Sequence, residues 1–476
     1  MIRLILEAVK EWVEELLNGF VKKGNAEDSK SITGRYNVLD YGLKGDGTTD
    51  NTVALQNMIN SVPAGAIIFF PAGVYNITDT IEIAKGATFV GESFNTQRMI
   101  NANTLTPDSQ INYIGTDSNI TLFKRLNNVS FNVEKLAFFG NSYGVARNDS
   151  EFTALPHHEF TETIIDNKEN INCIDYVEGK ITVKDCMFIG FSGYALKIGV
   201  HNYVKNCGFF KCQIGIMEDR YDSLIENCWF SSGKIGILCK NTTENYTSMS
   251  ISDCWCDQML GHFIKVEGQV SSMLLVDNAW VDMIDGAGIS VDGQLHHSRI
   301  NGRLSRCGMM YAGIDDNDRT TSIQSMTDAI NASAIYDSSI NISIDKRRIG
   351  NGNNKDGVCP SKAISSNTNV IKDSNIVCID TAISDICELN GALNNTRVLG
   401  KDSNILGFSI WNYTDAPILF RTSSPLGKVQ APKPNCIAID TVTGDIYRST
   451  AASDTNAWES LKKDPTDIDF SDIEGV

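Results

Sequence analysis

The 476-residue sequence has little positive charge and no long apolar run, and these two absences exclude several classes of protein. It carries 41 Lys and Arg against 58 Asp and Glu, which gives a formal net charge of -17. A chain of this charge is repelled by nucleic acid and by anionic membrane surfaces, so we expect neither as a partner. Because no apolar run is long enough to cross a bilayer, we also expect no membrane insertion.

Metal-binding motifs and a secretion signal are missing as well. No CxxC pair and no Cys/His cluster has zinc-ligand spacing, so we expect no metal and no cofactor. The 13 cysteines are an odd number, and four of them share one repeated position, which predicts free thiols made in a reducing compartment. Glu7, Glu11 and Glu14 interrupt the apolar start of the chain, so we expect no signal peptide and synthesis in the cytoplasm.

What the sequence does contain is one short pattern that recurs between Lys180 and Ser305. Its clearest copies are Val183–Phe188, Val204–Phe209, Ile225–Phe230, Ile251–Cys256 and Val276–Val281. The spacings are 21 residues from Cys186 to Cys207 and from Cys207 to Cys228, then 26 to Cys254 and 25 to Ala279. A period of this size, with strand-like alternation and no helical spacing, predicts an all-β solenoid of the parallel β-helix type.

Stacked coils lie about 4.8 Å apart, so each repeated position becomes a column of side chains. One column, predicted to form a tight corner because Asn and Asp tolerate the left-handed backbone, contains Asp185, Asn206, Asn227, Asp253 and Asn278. The next column is predicted to fill the core with small apolar groups and contains Cys186, Cys207, Cys228 and Cys254. We assign both columns a structural role only.

The regions around the repeats divide the chain into four parts. Residues 1–35 hold an amphipathic helix and a linker, 36–320 the β-helix, 321–428 a β-rich continuation or second β region, and 429–476 a β-hairpin module with an acidic tail. The apolar stripe of the helix predicts oligomerisation or docking, or a helix that caps the solenoid. Residues 141–170, with His157 and His158, are predicted to be an insertion between two coils.

Two motifs before the repeats carry a family resemblance. They are the segment from Asn37 to Gln56, with Asp40-Tyr-Gly and Gly45-Asp-Gly, and the strand Phe70-Pro-Ala-Gly-Val-Tyr75. Both resemble the opening of the pectate-lyase-like right-handed parallel β-helix superfamily, which includes phage tailspikes. The resemblance implies a right-handed β-helix that acts on a glycan. The polygalacturonase motifs do not occur in order, since Gly261-His262-Phe263 lacks the second glycine, and this argues against pectin hydrolysis.

A column of tryptophans is the first candidate binding element. Alternation along the strand after the corner points Met187, Gly208, Trp229, Trp255 and Trp280 outward. Tryptophan that faces solvent offers an apolar surface to a sugar ring, so this column predicts a glycan platform. Burial in a subunit interface is the alternative, because interfaces are enriched in the same residue.

Two carboxylates on the same face are the candidate catalytic pair. Asp257 and Asp282 lie two positions after Trp255 and Trp280, so stacking places them about 5 Å apart, a separation typical of retaining glycosidases. Asp285 and His262 are candidate supporting residues, and Asp257 with Asp285 or with a group from another subunit would suit an inverting reaction. A solvated acidic edge without catalytic function is the alternative.

These features favour a phage tailspike-like virion protein that binds and cleaves a bacterial surface polysaccharide or teichoic acid during host adsorption. We expect a homotrimer that contacts other virion tail proteins through its N-terminal region. A C-terminal hairpin from Cys436 to Arg448, closed by Trp458, is similar to modules of phage tail fibres. The alternatives are a non-catalytic receptor-binding or structural spike, and a cellular polysaccharide lyase or glycoside hydrolase.

Overall fold

The computed structural model describes residues 34–92, 109–140, 170–240, 246–268, 271–282, 284, 286–305, 307, 328–344, 364–380, 392–394, 397–401, 408–411, 418–421, 424–427, 436–440, 442–451 and 455–461. These residues form a right-handed parallel β-helix, as predicted, in which successive coils add strands to three parallel sheets. The predicted N-terminal amphipathic helix and residues 141–169 of the predicted insertion lie outside the described residues.

The first sheet contains the strands that precede the Asn/Asp corner. In Ile181–Lys184 and Ser339–Ile344, for example, apolar residues alternate with polar ones, so one face of the strand packs into the core. In chain order the strands are β1 (Arg35–Asn37), β3 (Ala66–Phe70), β6 (Ala87–Gly91), β9 (Phe131–Glu134), β12 (Ile181–Lys184), β15 (Tyr203–Lys205), β18 (Ser223–Glu226), β21 (Tyr246–Ser252), β24 (Ser271–Asp282), β26 (Arg299–Leu304), β28 (Ser339–Ile344), β30 (Asn375–Asp380) and β32 (Arg397–Lys401).

The second sheet contains the strands that follow the same corner, and it carries the candidate site. Its strands are β2 (Asp46–Asp50), β4 (Gly73–Ile77), β7 (Ser109–Tyr113), β10 (Ala137–Phe139), β13 (Met187–Ile189), β16 (Gly208–Phe210), β19 (Trp229–Ser231) and β22 (Trp255–Asp257). The carboxyl-terminal parts of β24 and β26 extend it, because these long strands pass through the corner and belong to both sheets.

The third sheet closes each coil. Its strands are β5 (Ile81–Ile83), β8 (Asn119–Arg125), β11 (Asn170–Tyr176), β14 (Tyr194–Ile198), β17 (Ile214–Glu218), β20 (Ile235–Cys239), β23 (Ile264–Val266), β25 (Ile289–His296), β27 (Ile330–Tyr336), β29 (Ile364–Lys372) and β31 (Ala392–Asn394). Every pairing among these strands is parallel, and equivalent residues lie over one another except at the register shifts between Val291 and Gln294 and between Ala332 and Ala334.

Like side chains stack in the core because the register repeats. Phe138, Phe188, Phe209 and Phe230 form a ladder with ring centroids 5.1, 5.2 and 4.9 Å apart and nearly parallel planes. The four cysteines of the repeat are buried beside it and are free thiols, as predicted. The rings contribute large buried apolar surfaces to the core, and the small thiols occupy the positions next to the corner.

The Asn/Asp corner is a hydrogen-bonded ladder. All five residues of the column have a left-handed backbone, with φ between 49° and 53°. The Asn206 side-chain amide donates to Asp185 at 2.9 Å, Asn227 donates to Asn206 at 2.8 Å, and Asn278 donates to Asp253 at 2.7 Å. The predicted structural role of this column is therefore confirmed, and it fixes the direction in which each following strand leaves the corner.

The first coils are closed by a short helix, α1 (Thr52–Ser61), which buries Leu55, Met58 and Ile59 against the sheet end. The motif carboxylates before it bind backbone: Asp46 accepts from the N–H groups of Thr48 and Thr49, and Asp50 accepts from Thr52. These bonds give both carboxylates a structural role. No helix within the described ranges is long and apolar enough to cross a membrane.

The C-terminal strands leave the parallel arrangement. β33 (Phe408–Trp411) pairs antiparallel with β32 and with β34 (Ile418–Arg421), and β34 pairs parallel with β35 (Ile437–Asp440). The predicted hairpin follows: β35, β36 (Ile446–Ser449) and β37 (Trp458–Ser460) are antiparallel, and Gly444 turns the chain with φ 75°. The hairpin and its aromatic closing strand are therefore confirmed.

Candidate functional site

The outer face of the second sheet brings the predicted site residues together. Trp229 pairs with Trp255, and Trp255 pairs with Trp280, in consecutive coils. In the same register Ser231 pairs with Asp257, and Asp257 pairs with Asp282. Because paired residues of neighbouring parallel strands point to the same side, the two columns run side by side along the solenoid.

Trp255 and Trp280 form an exposed stacked pair. Their ring centroids are 4.5 Å apart with an interplanar angle of 11°, and the residues are 44% and 40% exposed. Each ring covers one face of the other. Solvent therefore contacts mainly the edges of the two stacked rings, which together form a common edge. Stacking of this kind fixes both indoles without a polar partner and keeps a large apolar area at the surface.

Arg303 continues this column in the next coil. It pairs with Trp280, and its guanidinium carbon lies 5.7 Å from the Trp280 ring centroid. Its Nε donates to the Ser305 hydroxyl at 2.9 Å, which holds the side chain along the face. The sequence does not show this placement: when Ile300–Ser305 is aligned with Val276–Val281, Leu304 falls at the tryptophan position, and only the register shift between Val276 and Ala279 brings Arg303 opposite Trp280.

The expected outward column is not exposed along its whole length. Met187 is buried in a small cluster with Ala137, Ile189 and Phe210, outside the main core. Gly208 is buried, and Trp229 is only partly exposed with its indole nitrogen buried. The predicted solvent-facing column is therefore corrected to Trp255 and Trp280, since alternation gives the direction of a side chain but not what covers it.

Asp257 is partly buried in the column that it forms with Ser231 and Asp282. Burial raises the pKa of its carboxyl group above the ordinary value, and the charge of Asp282 adds to the rise. The Ser231 hydroxyl and the Trp229 indole lower the pKa by a smaller amount. Asp257 Oδ1 and Trp229 Nε1 are both buried, and neither atom has a well-formed hydrogen bond to any group in the described part of the chain. The carboxyl group thus holds its proton to a higher pH than a surface aspartate does.

The predicted supporting residues are His262 and Asp285. His262 precedes β23 in the third sheet, and its Nδ1 accepts the Ala287 backbone N–H at 3.0 Å. Burial lowers the pKa of this imidazole, which agrees with a neutral ring that accepts a hydrogen bond. The structure therefore gives His262 a partner in the next coil and does not bring it to the Asp257 and Asp282 pair. Asp285 lies outside the described residues.

Asp257 and Asp282 are carboxyl groups on paired residues of neighbouring strands. Strands of a sheet lie about 4.8 Å apart, and a carboxyl separation near this spacing allows one group to act as an acid and the other as a nucleophile. The partly buried Asp257 suits the protonated role. Within the described residues, the group of side chains that could hold a metal ion consists of His296, His297 and Asp337, away from the second sheet.

A family match identifies the first part of the solenoid. Residues 35–237 match the family described as rhamnogalacturonase A/epimerase, pectate lyase-like, and therefore form a pectate lyase-like domain. The match covers the first coils, the cap and the first three copies of the repeat up to β20, and it ends before Trp255. The resemblance found in the opening motifs is thus confirmed for the fold.

Several known proteins are similar to parts of the chain. Exo-poly-α-D-galacturonosidase of Dickeya chrysanthemi is 44% identical over 62 residues, which is 12% of this chain and 10% of that protein. The chain spans between 5% and 10% of the length of the curated relatives that it matches. A solved structure of DFA-IIIase from Arthrobacter chlorophenolicus A6 has a TM-score of 0.51 at 13% identity and covers 77% of this chain and 91% of its own. Tailspike protein 3 of bacteriophage CBA120 has a TM-score of 0.41 at 13% identity and covers 89% and 68%.

Proposed function

We propose that this protein binds and cleaves a bacterial surface polysaccharide or teichoic acid on the outer face of the second sheet. The observation that carries the proposal is the placement of Asp257 and Asp282 beside the exposed Trp255 and Trp280 pair in the same two coils. The poly-galacturonosidase activity in the name of one relative supports a glycan as the ligand class. The pectate lyase-like domain at residues 35–237 also supports a glycan as the ligand class.

The indole pair supplies the apolar contact for the glycan. Sugar rings carry patches of C–H groups, and the common edge of Trp255 and Trp280 is the exposed aromatic surface nearest in register to the carboxyl groups. A polymer that lies along this edge passes over the acid pair, since the two columns are parallel. Arg303 at the end of the column adds a positive charge, which favours glycans with acidic substituents.

The chemistry assigned to the pair is retaining hydrolysis of a glycosidic bond. Asp257, whose pKa is raised by burial, donates its proton to the glycosidic oxygen as the bond to the anomeric carbon breaks. Asp282 attacks that carbon and forms a glycosyl ester. Water, deprotonated by the Asp257 carboxylate, then cleaves the ester and restores both groups. A coil spacing of about 4.8 Å favours this route over inversion, which needs about 6.5 to 9.5 Å.

The biological setting that we propose is a phage tailspike-like protein acting during host adsorption. In this setting residues 1–35 contact other tail proteins and the chain assembles as a homotrimer. The features that support it are the buried free thiols of a protein made in a reducing compartment and the C-terminal antiparallel hairpin. In this setting residues 36–320 form the β-helix, residues 321–428 form its continuation or a second β region, and residues 429–476 form the hairpin module.

One observation favours a second candidate, a spike that binds glycan without cleaving it. Asp257 Oδ1 is buried, so a substrate reaches this carboxyl group only through its other oxygen or after the neighbouring indole moves. A binding protein needs the indole pair alone. The two candidate functions therefore differ in whether the activity of the protein requires the carboxyl groups of Asp257 and Asp282.

The test is a cleavage assay on polysaccharide purified from the bacterial surface, with new reducing ends and chain length as readouts. Asp257→Asn and Asp282→Asn are each expected to slow cleavage by about 10² to 10⁴-fold. Asp253→Asn is the matched control, because it lies in the same coil, changes the same group and only replaces one member of a ladder that already contains asparagine. Undiminished cleavage by the Asp257→Asn, Asp282→Asn double variant would reject the site.

Binding of the same polysaccharide separates the second candidate. If the wild-type protein binds but never cleaves, and Trp255→Ala with Trp280→Ala abolishes binding, the protein is a receptor-binding spike. If neither binding nor cleavage depends on these tryptophans, both candidates at this face are wrong.

A further inference from the structure

The corner between the third and first sheets brings together His296, His297 and Asp337, which are remote from the proposed glycan face. One nitrogen of each histidine and one carboxylate oxygen lie within 4.8 Å of one another. His297 Nδ1 and Asp337 Oδ2 are 4.0 Å apart. We propose that these three side chains bind a divalent transition-metal ion, with Zn²⁺ as the ion that fits best.

The backbone places these residues at the same position of adjacent coils. His297 and Asp337 both have a left-handed backbone, with φ 47° and 46°. The His297 N–H donates to the Tyr336 carbonyl at 3.2 Å, so the two corners are tied directly to each other. Behind them the Ser298 N–H donates to the Ser338 hydroxyl at 3.1 Å, inside the core. The separation of the two side chains is therefore set by the coil spacing, not by a flexible loop.

The ring of His296 is also held in place. It stacks on Tyr336 with centroids 4.6 Å apart and an interplanar angle of 19°. Its Nε2 is 2.9 Å from Gln294 Oε1, a polar contact that orients the ring. Contacts of this kind around a ligating histidine reduce the entropy lost when the metal binds. His297 and Asp337 are exposed, so an ion can reach the site from solvent.

The donor set decides the class of ion. Two imidazole nitrogens and one carboxylate oxygen suit Zn²⁺ and its first-row neighbours, whereas Ca²⁺ and Mg²⁺ prefer oxygen donors throughout. Metal–ligand bonds of about 2.0 to 2.2 Å place donor atoms closer together than 4.8 Å. The exposed side chains of His297 and Asp337 have to rotate inward by a small amount to reach this geometry. Water completes the coordination.

The bound ion would link two coils. His296 and His297, on the coil of β25 and β26, are separated in sequence from Asp337, on the coil of β27 and β28, by residues 298–336. An ion held by both coils has no equivalent site in the unfolded chain, so it stabilises the later coils.

Titration calorimetry of the full chain with ZnCl₂ tests the proposal, with the melting temperature as a second readout. We expect a Zn²⁺ site in the wild-type protein that raises the melting temperature, and a loss of affinity of more than about tenfold in His296→Ala, His297→Ala and Asp337→Ala. The same variants should lose the Zn²⁺-dependent rise. Without metal they should melt somewhat below the wild type, because alanine is strained at the left-handed positions 297 and 337 and His296→Ala loses the stack on Tyr336, so the Zn²⁺-dependent rise is the deciding readout.

Two control variants use the other histidines of the chain. His157→Ala with His158→Ala removes the second adjacent histidine pair of the sequence. His201→Ala removes an exposed histidine 3.6 Å from Asp222 at an equivalent corner, where only one imidazole is present. Both controls should bind Zn²⁺ as the wild type does. Absence of Zn²⁺ binding by the wild type, or equal binding by the three ligand variants, would overturn the proposal.

Discussion

Glu218 is a carboxyl group in the core of the solenoid, and its replacement by glutamine gives a prediction with a worked magnitude. The residue is fully buried in β17, between Ile198 and Cys239 of the neighbouring coils. Its Oε1 accepts the Ser223 backbone N–H at 3.2 Å, and its Oε2 has no hydrogen-bond partner among the described residues. Burial raises the pKa of Glu218 from 4.5 to about 8.

The sign follows from the direction of the shift. The folded pKa lies above the unfolded one, so the folded state binds the proton more tightly and its stability is complete below the unfolded pKa of 4.5. As the pH rises from there to about 8, each unit removes about 1.4 kcal/mol of stability. The total loss above the folded pKa is about 5 kcal/mol. Glu218→Gln keeps the shape and the acceptor oxygen but cannot ionise.

The assay is urea unfolding of both proteins under reducing conditions at about pH 5, 7 and 9. The difference in free energy of unfolding should be small at about pH 5 and should grow to several kcal/mol in favour of the variant at about pH 9. Other groups titrate in both proteins, so they cancel in the difference. A difference that stays constant across this range would show that Glu218 is not held protonated by burial, and the account of this site would be refuted.

Three further predictions concern the ladders and the glycan face. Phe209→Ala removes the middle ring of a ladder whose centroids are 5.2 and 4.9 Å apart, and it should lower the free energy of unfolding by about 3 to 5 kcal/mol in urea. Asn227→Ala should lower the free energy of unfolding by about 1 kcal/mol more than Asn227→Gly does, because alanine is strained at φ 49° whereas both variants lose the same side-chain hydrogen bond. Equal losses in the two variants would contradict the role of the left-handed backbone. Trp280→Ala should weaken binding of the substrate polysaccharide about tenfold, as measured by calorimetry. An unchanged affinity would show that the indole pair is not part of the binding surface.

The repeat made the fold and the columns predictable. Asn and Asp recur at the position that needs a left-handed backbone, and this chemistry is visible in the sequence without any tertiary information. Once that corner is recognised, every position in the copies from Cys186 to Ala279 has a definite neighbour in the next coil. The pairing of Trp255 with Trp280 and of Asp257 with Asp282 follows from the same register.

The remaining features depend on contacts between elements that a repeat does not describe. Met187 points outward by alternation and is nevertheless buried, because cover on the outer face is a tertiary property. The period gives the separation of the indoles but not their rotamers, so it could not predict that they stack on each other. The period does not predict that His297 and Asp337 are neighbours, since it fades beyond Asp316 and a long stretch of sequence separates the two residues.

The most direct measurement of the central claim is a structure of the Asp257→Asn variant with an oligosaccharide from the bacterial surface polymer. We predict a sugar in contact with the shared edge of Trp255 and Trp280, with a glycosidic oxygen within about 3.2 Å of the side chain at position 257. An oligosaccharide bound to the first or third sheet, with the tryptophan edge and both carboxyl positions free of contact, would contradict the claim.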